Sequence, residues 1–349
     1  MRFLFVAPLL LFVLAACVPR QAPPGPGALA AAIAPAPSET AEEQDFEIET
    51  EEVFITADGY ALSLRAWLPE EPPTAVILAL HGFNDHSTFI APAAEVWAAE
   101  DAIATYAYDQ RGFGTAPNRG LWAGAATYAG DASEAARLLR NRYPEAELFL
   151  LGESMGGAIA LAAATGEEPA PVDGVILAAP AVFARETMPF GQRVSLYVIS
   201  HTLPWLALKP TGVRIQASDN IEALIALGQD PLTIKRTRMD AVYGLVEAMD
   251  LALASAGDLQ VPALLLYGEK DELVPPGATL TFWERLPEDQ KDSQRRVLYP
   301  EGWHLLFKDL QGVTVYRDVA AWIEDPIAPL PSAADSEAQE RLSVIVEGD

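Results

Sequence analysis

The stretch LFLLGESMGGAIAL, residues 148–161, sets Ser154 between an apolar run that reads as a strand and a small-residue run that reads as the start of a helix. A serine on a sharp strand-to-helix turn carries its hydroxyl clear of both elements, the arrangement of a nucleophile elbow. Gly152, Gly156 and Gly157 are the residue type such a turn needs, because a side chain there meets the neighbouring strand or helix. The GxSxG pentapeptide alone is a weak signal, and the strand before it and helix after it supply the context the motif requires. The plain alternative is a glycine-bracketed helix N-terminus with Ser154 as an ordinary turn residue.

A serine hydroxyl is a poor nucleophile near neutral pH, so this reading obliges the chain to supply a histidine base and an acid to orient it. Of the four histidines, His81, His86 and His201 precede any plausible downstream acid. His304 alone gives the chain order serine, acid, histidine that goes with an elbow serine. It lies in YPEGWHLLF, where Pro300 and Gly302 mark a loop after the strand-like run Arg295–Tyr299; the alternative is a surface histidine beside Trp303. The acid candidate is Asp271 in VPALLLYGEKDELVPP, in the loop past a buried strand Val261–Tyr267 that Gly268 ends. Glu269 and Glu272 compete with it. Asp271 is preferred because it sits three residues beyond Gly268 and precedes the apolar pair Leu273–Val274 that can anchor the loop. Two backbone N–H groups, of Phe83 after the strand AVILAL and of Met155 at the helix start, are placed to stabilise an oxyanion. His81 is expected to brace its loop rather than transfer protons.

HGFNDHS, YDQRGFG, GESMGG, GEKDELVP and EGWHLLF, in this order, resemble the monoacylglycerol lipase and lysophospholipase group of α/β-hydrolases, also grouped as serine-aminopeptidase-like hydrolases. The resemblance covers roughly residues 48–325. It implies Ser154 as nucleophile, Asp271 as acid, His304 as base and Phe83 and Met155 as oxyanion donors, matching the assignments above. It also implies an α/β-hydrolase fold: a mostly parallel central sheet flanked by helices, with a small helical cap inserted between two strands. Phe113 stands where many relatives carry histidine, a departure that touches no catalytic role.

Composition narrows the partners. With 49 acidic against 23 basic residues the formal charge is −26, which disfavours nucleic acid and a basic contact with anionic lipid. No phosphate-cradling glycine loop and no metal-ligand spacing is present in the sequence, so no cofactor or metal is implied. No obligate protein partner is implied either.

Residues 1–16 read as a secretory signal, and Leu14-Ala15-Ala16-Cys17 resembles a bacterial lipobox. That resemblance implies lipid attachment at Cys17, the chain's one cysteine, and hence a membrane anchor in the bacterial envelope facing the periplasm. Val18 lacks the aspartate signal for inner-membrane retention, which favours the outer membrane. Residues 17–45, rich in Pro, Ala and Gly and then acidic, read as a flexible tether. Residues 46–325 form the expected catalytic domain, with strands near 75–81, 102–108, 147–152, 172–178, 261–267 and 295–299, a strand–turn–strand at Glu52–Leu68, and helices near Tyr128–Tyr143 and Val313–Ile323. The interval of about 181–259 is the cap, with Val242, Leu245, Val246, Met249 and Leu253 on one helical face. Residues 326–349 read as a low-complexity tail, and Arg341–Asp349 carries no assigned role.

The expected chemistry is hydrolysis of a carboxylic ester, most specifically a monoacylglycerol or lysophospholipid, through an acyl-enzyme. An aminopeptidase or acyltransferase on the same triad, or a catalytically silent envelope binding protein, are the alternatives.

Overall fold

The computed structural model describes residues 31–35, 49–209 and 215–348. The signal segment and Cys17 lie outside the described residues. Among the described residues nine strands form one sheet: β1 (Ala32–Pro35), β2 (Glu49–Ile55), β3 (Ala61–Trp67), β4 (Ala75–Leu80), β5 (Ile103–Tyr108), β6 (Glu147–Glu153) and β7 (Gly174–Ala178), then β10 (Ala263–Gly268) and β11 (Gln294–Tyr299). Their order is β1-β2-β3-β5-β4-β6-β7-β10-β11. The first three are antiparallel entry strands, and from β5 to β11 neighbours run parallel. The middle strands AVILAL, IATYAY and ALLLYG are buried at every position, as strands covered on both faces must be.

Alternation along β4 sorts the core into two layers. Val76, Leu78 and Leu80 join the layer that holds α2 (Ala125–Arg142) and α3 (Met155–Thr165), while Ile77 and Ala79 join the layer that holds α1 (Ala91–Glu100) and α8 (Gly312–Glu324). This is the α/β-hydrolase fold. Its parallel strands end at one edge, where the loops after β4, β6, β10 and β11 meet.

The cap is α4 (Phe190–Thr202), a two-stranded ribbon of β8 (Ala207–Leu208) and β9 (Thr237–Arg238), α5 (Ile221–Gln229) and α6 (Met239–Ser255). On α6, Val246 and Leu253 are buried, and Leu245 and Met249 pack on the layer containing α3. Four of the five residues of the stripe read from the sequence are therefore core, and Val242 is half-buried.

Two segments differ from the sequence reading. Within the residues read as tether, Ala32–Pro35 pairs with Glu52–Ile55 as an edge strand, and Ile33 packs on the core. Within the segment read as a low-complexity tail, α9 (Ala338–Gly348) docks on the body between α7 (Pro276–Arg285) and β11. Its Ala338, Leu342 and Ile345 recur at helical spacing and face the core, a short stripe hidden among charges. Among the described residues no helix is long and apolar enough to cross a membrane.

Candidate active site

Ser154 sits at φ 54° and ψ −116°, in the left-handed region that costs an ordinary residue about 1–3 kcal/mol. Four backbone hydrogen bonds hold it there. Its N–H donates to Ala178 O at 2.9 Å, and its carbonyl accepts from Gly157 N, Ala158 N and Ala181 N at 2.9, 3.2 and 2.9 Å. The flanking glycines leave no slack: a Cβ on Gly156 would stand 2.0 Å from Leu80 O, and one on Gly152 would stand 2.2 Å from Gly156 O. From Leu148 to Ala164 Ser154 alone is not buried, so the turn that buries its neighbours leaves this residue accessible.

The acid and histidine loops are joined at Gly268, where a Cβ would lie 2.4 Å from the Gly302 carbonyl carbon. Lys270 N donates to Gly302 O at 2.9 Å, which fixes the two loops side by side. Asp271 Oδ2 then accepts from His304 Nδ1 at 2.8 Å, and its Oδ1 accepts from Leu273 N and Val274 N at 2.7 and 3.0 Å. The Leu273–Val274 pair thus anchors the acid through its amides. Of the competing acids, Glu269 pairs with Arg341 and Glu272 accepts from Gln216 N at 2.7 Å. Burial disfavours the charged form of His304, but the charge and hydrogen bond of Asp271, with Glu153 and Asp309 adding to them, raise its pKa above the ordinary value. The orienting bond leaves Nε2 as the free ring nitrogen.

The loop after β4 approaches from the other side. A Cβ on Gly82 would lie 3.5 Å from Ser154 Cβ, so the Phe83 amide follows a residue in near contact with the serine, while Met155 opens α3 directly after it. His81 braces this loop, as expected. Gln110 N donates to its Nε2 at 3.0 Å, its Nδ1 meets Gly82 O at 2.8 Å, and the Gln110 side chain donates to His81 O at 2.9 Å. Burial lowers its pKa, in keeping with an Nε2 that accepts from the Gln110 amide and so carries no proton. Phe113 stacks edge-on against His81 and Phe83, with ring centroids 5.5 and 5.7 Å away.

Other polar groups here were not singled out by the sequence reading. Asn84, His86 and Asp309 root the cap: Ile234 N donates to Asn84 O at 3.0 Å, His86 Nε2 meets Asp230 at 2.8 Å, and Ser218 Oγ donates to Asp309 at 2.6 Å. Lys308 pairs with Asp85 at 2.7 Å. His201 lies away from this group on α4, against Tyr197. Among the described residues no cluster of His, Cys, Asp and Glu could hold a metal ion.

Residues 71–311 match the family model described as serine aminopeptidase, S33. This chain belongs to that family of α/β-hydrolases. Within it the likeness is to the monoacylglycerol lipase group. It is 29% identical over 286 residues to human monoglyceride lipase, covering 80% of this chain and 92% of that protein. It is 25% identical over 289 residues to the monoacylglycerol lipase of Mycolicibacterium smegmatis, covering 78% and 96%. A soluble variant of monoglyceride lipase from Saccharomyces cerevisiae, solved with a substrate analog, shares the fold at TM-score 0.66 and 18% identity, over 84% of this chain and 99% of that one. Family and relatives together make this member a carboxylic ester hydrolase.

Proposed function

We propose that the chain hydrolyses monoacylglycerols, or the closely similar lysophospholipids, through an acyl-enzyme on Ser154. The observation that carries the reading is the 2.8 Å bond between His304 Nδ1 and an Asp271 whose side chain is wholly buried, at the sheet edge where the strained Ser154 turn also lies. In the first half-reaction Ser154 Oγ attacks the ester carbonyl while its proton passes to His304 Nε2. The Phe83 and Met155 amides hold the oxyanion, and Asp271 stabilises the imidazolium. The carbon–oxygen bond to the alcohol then breaks, and His304 returns the proton to the departing oxygen. Water repeats the sequence and frees the fatty acid.

The relatives' names support a monoacylglycerol as substrate. Protein lacking residues 1–17 is expected to release glycerol from monooleoylglycerol and to turn over p-nitrophenyl esters faster as the acyl chain lengthens. A rate that peaks on acetyl esters, with no glycerol released, sinks the lipid reading. Release of amino acids from aminoacyl anilides moves the chain to the peptidases that the family description names, and ester formation with an added alcohol to the acyltransferases. Failure of a fluorophosphonate to label the folded protein revives the silent binding protein. The envelope address is also proposed, through lipidation of Cys17 in the lipobox-like LAAC. Labelled palmitate is expected in the wild type and not in Cys17→Ser.

A further inference from the structure

We propose that Glu153 is a positioning residue for His304, a second buried carboxyl beside the nucleophile whose negative charge holds the imidazole's proton. This rests on the triad reading above. Glu153 is the last residue of β6 and is fully buried, and neither of its side-chain oxygens has a hydrogen-bond partner among the described residues. Asp271, equally hidden, has three donors. The backbone of the loop after β4 covers Glu153, since a Cβ on Gly82 would lie 3.9 Å from its Oε1. A carboxyl in such a place resists ionising, and a filler of this volume needs no charge.

The groups that face Glu153 are few. The loop after β4 contributes Asp85, already paired with Lys308; the loop between β11 and α8 contributes His304, Lys308 and Asp309; and α8 contributes Tyr316. Burial pushes Glu153 up to about 7, with Lys308 opposing, Asp85 adding, His304 opposing and Asp309 adding. Glu153 in turn is among the charges that raise His304. Each group's proton therefore disfavours a proton on the other, and the pair titrates over a broad span around neutrality.

The sign follows. Removing the Glu153 charge makes His304 less basic, so the inactive, protonated imidazole forms only at lower pH. The imidazolium of the transition state also loses one of its stabilising charges. In Glu153→Gln the acidic limb of kcat/KM is expected to move down by about half to one pH unit and to narrow to a single-proton curve, and kcat on the plateau to fall about three- to tenfold.

The experiment compares pH profiles on p-nitrophenyl butyrate for the wild type, Glu153→Gln and Asp318→Asn. Asp318 is a buried carboxylate on α8 that accepts from Tyr299 and Ser332, so its loss is expected to lower Tm and leave the limb in place. A limb in folded Glu153→Gln that coincides with the wild type, or moves upward, overturns the proposal. If that variant does not fold, the wild type decides by carbon NMR of labelled glutamate. One carboxyl is expected to titrate near 7 and to shift when Ser154 is phosphonylated, and absence of such a carboxyl overturns the proposal. Wild-type turnover in Ser154→Ala and His304→Ala overturns the triad reading instead, whatever Glu153→Gln does.

Discussion

The elbow helix and the cap helices are built on opposite terms. Ten of the eleven residues of α3 are buried, and its first turn is locked to Leu80 O and Pro180 by the glycines of the elbow. In the cap, α5 buries none of its residues and α4 buries only Ser200, while Phe190 and Trp205 stand 77% and 59% exposed. The cap is held at its roots, by α6 and by hydrogen bonds to the loops that carry Asn84, His86, Leu305 and Asp309. Positions that the chemistry fixes to within a fraction of an ångström are set by backbone against backbone; the outer cap, which carries none of the candidate triad, is tied down at its roots.

The contrast breaks most sharply at the floor. Ser154→Ala is expected to lower kcat about 10⁴- to 10⁶-fold with no loss of Tm, because the strained turn is fixed by backbone bonds that the variant keeps. A smaller drop on a p-nitrophenyl ester removes the serine from the mechanism.

Next in size is Gly156→Ala. Its new methyl must displace the Leu80 carbonyl, 2.0 Å away, and backbone there cannot move without shifting β4. A loss of about 4 kcal/mol or a failure to fold is expected. The matching change in the cap, Gly228→Ala on α5, meets nothing within 4 Å, and a Tm equal to the wild type or slightly higher is expected. Equal costs at the two glycines would erase the distinction between floor and cap.

The floor's rigidity extends behind the site through Arg111. Its guanidinium binds Asp131 at 2.7 and 2.8 Å and Asp58 at 2.7 Å twice, clamping the β2–β3 turn to α2. Arg111→Met leaves the buried Asp131 and the half-buried Asp58 without their cation, and denaturant unfolding is expected to show about 3 kcal/mol lost. The Arg111 bond holds Asp58 down at about 2, against burial. The Asp58 share of that stability is thus fully present above the unfolded value near 3.9 and disappears as pH falls toward 2.

What could be read in advance follows the same division. The elbow, the six parallel strands and the acid and histidine loops are local patterns, in which an apolar run, a glycine and a polar residue stand within ten positions of each other. Arg111 with Asp58, Lys308 with Asp85, and Asn84 with Ile234 pair residues 53, 223 and 150 positions apart, and no spacing rule announces such partners. Glu153 was in plain view inside GESMGG, but its burial depends on the loops after β4 and β11 closing over it. Ala32–Pro35 and α9 escape a sequence reading because four residues of edge strand, and a core-facing stripe of three in an eleven-residue helix, carry too little periodicity to be told from linker.

Little effect on folding is expected at the exposed apolar side chains of α4 and the turn after it. Phe190, Tyr197 and Trp205 are all more than half exposed, so their side chains contribute little burial. Replacing all three with serine should change stability by less than about 1 kcal/mol. It should also leave kcat on p-nitrophenyl acetate unaltered, because a small soluble ester needs only the floor. Monooleoylglycerol presented in micelles is different, since an exposed apolar face of this kind marks a contact with something apolar. There KM is expected to rise several-fold while kcat holds. A matched loss on acetate and on micelles would mean that α4 and its following turn help to position the serine or histidine loop, and the cap would then belong with the floor.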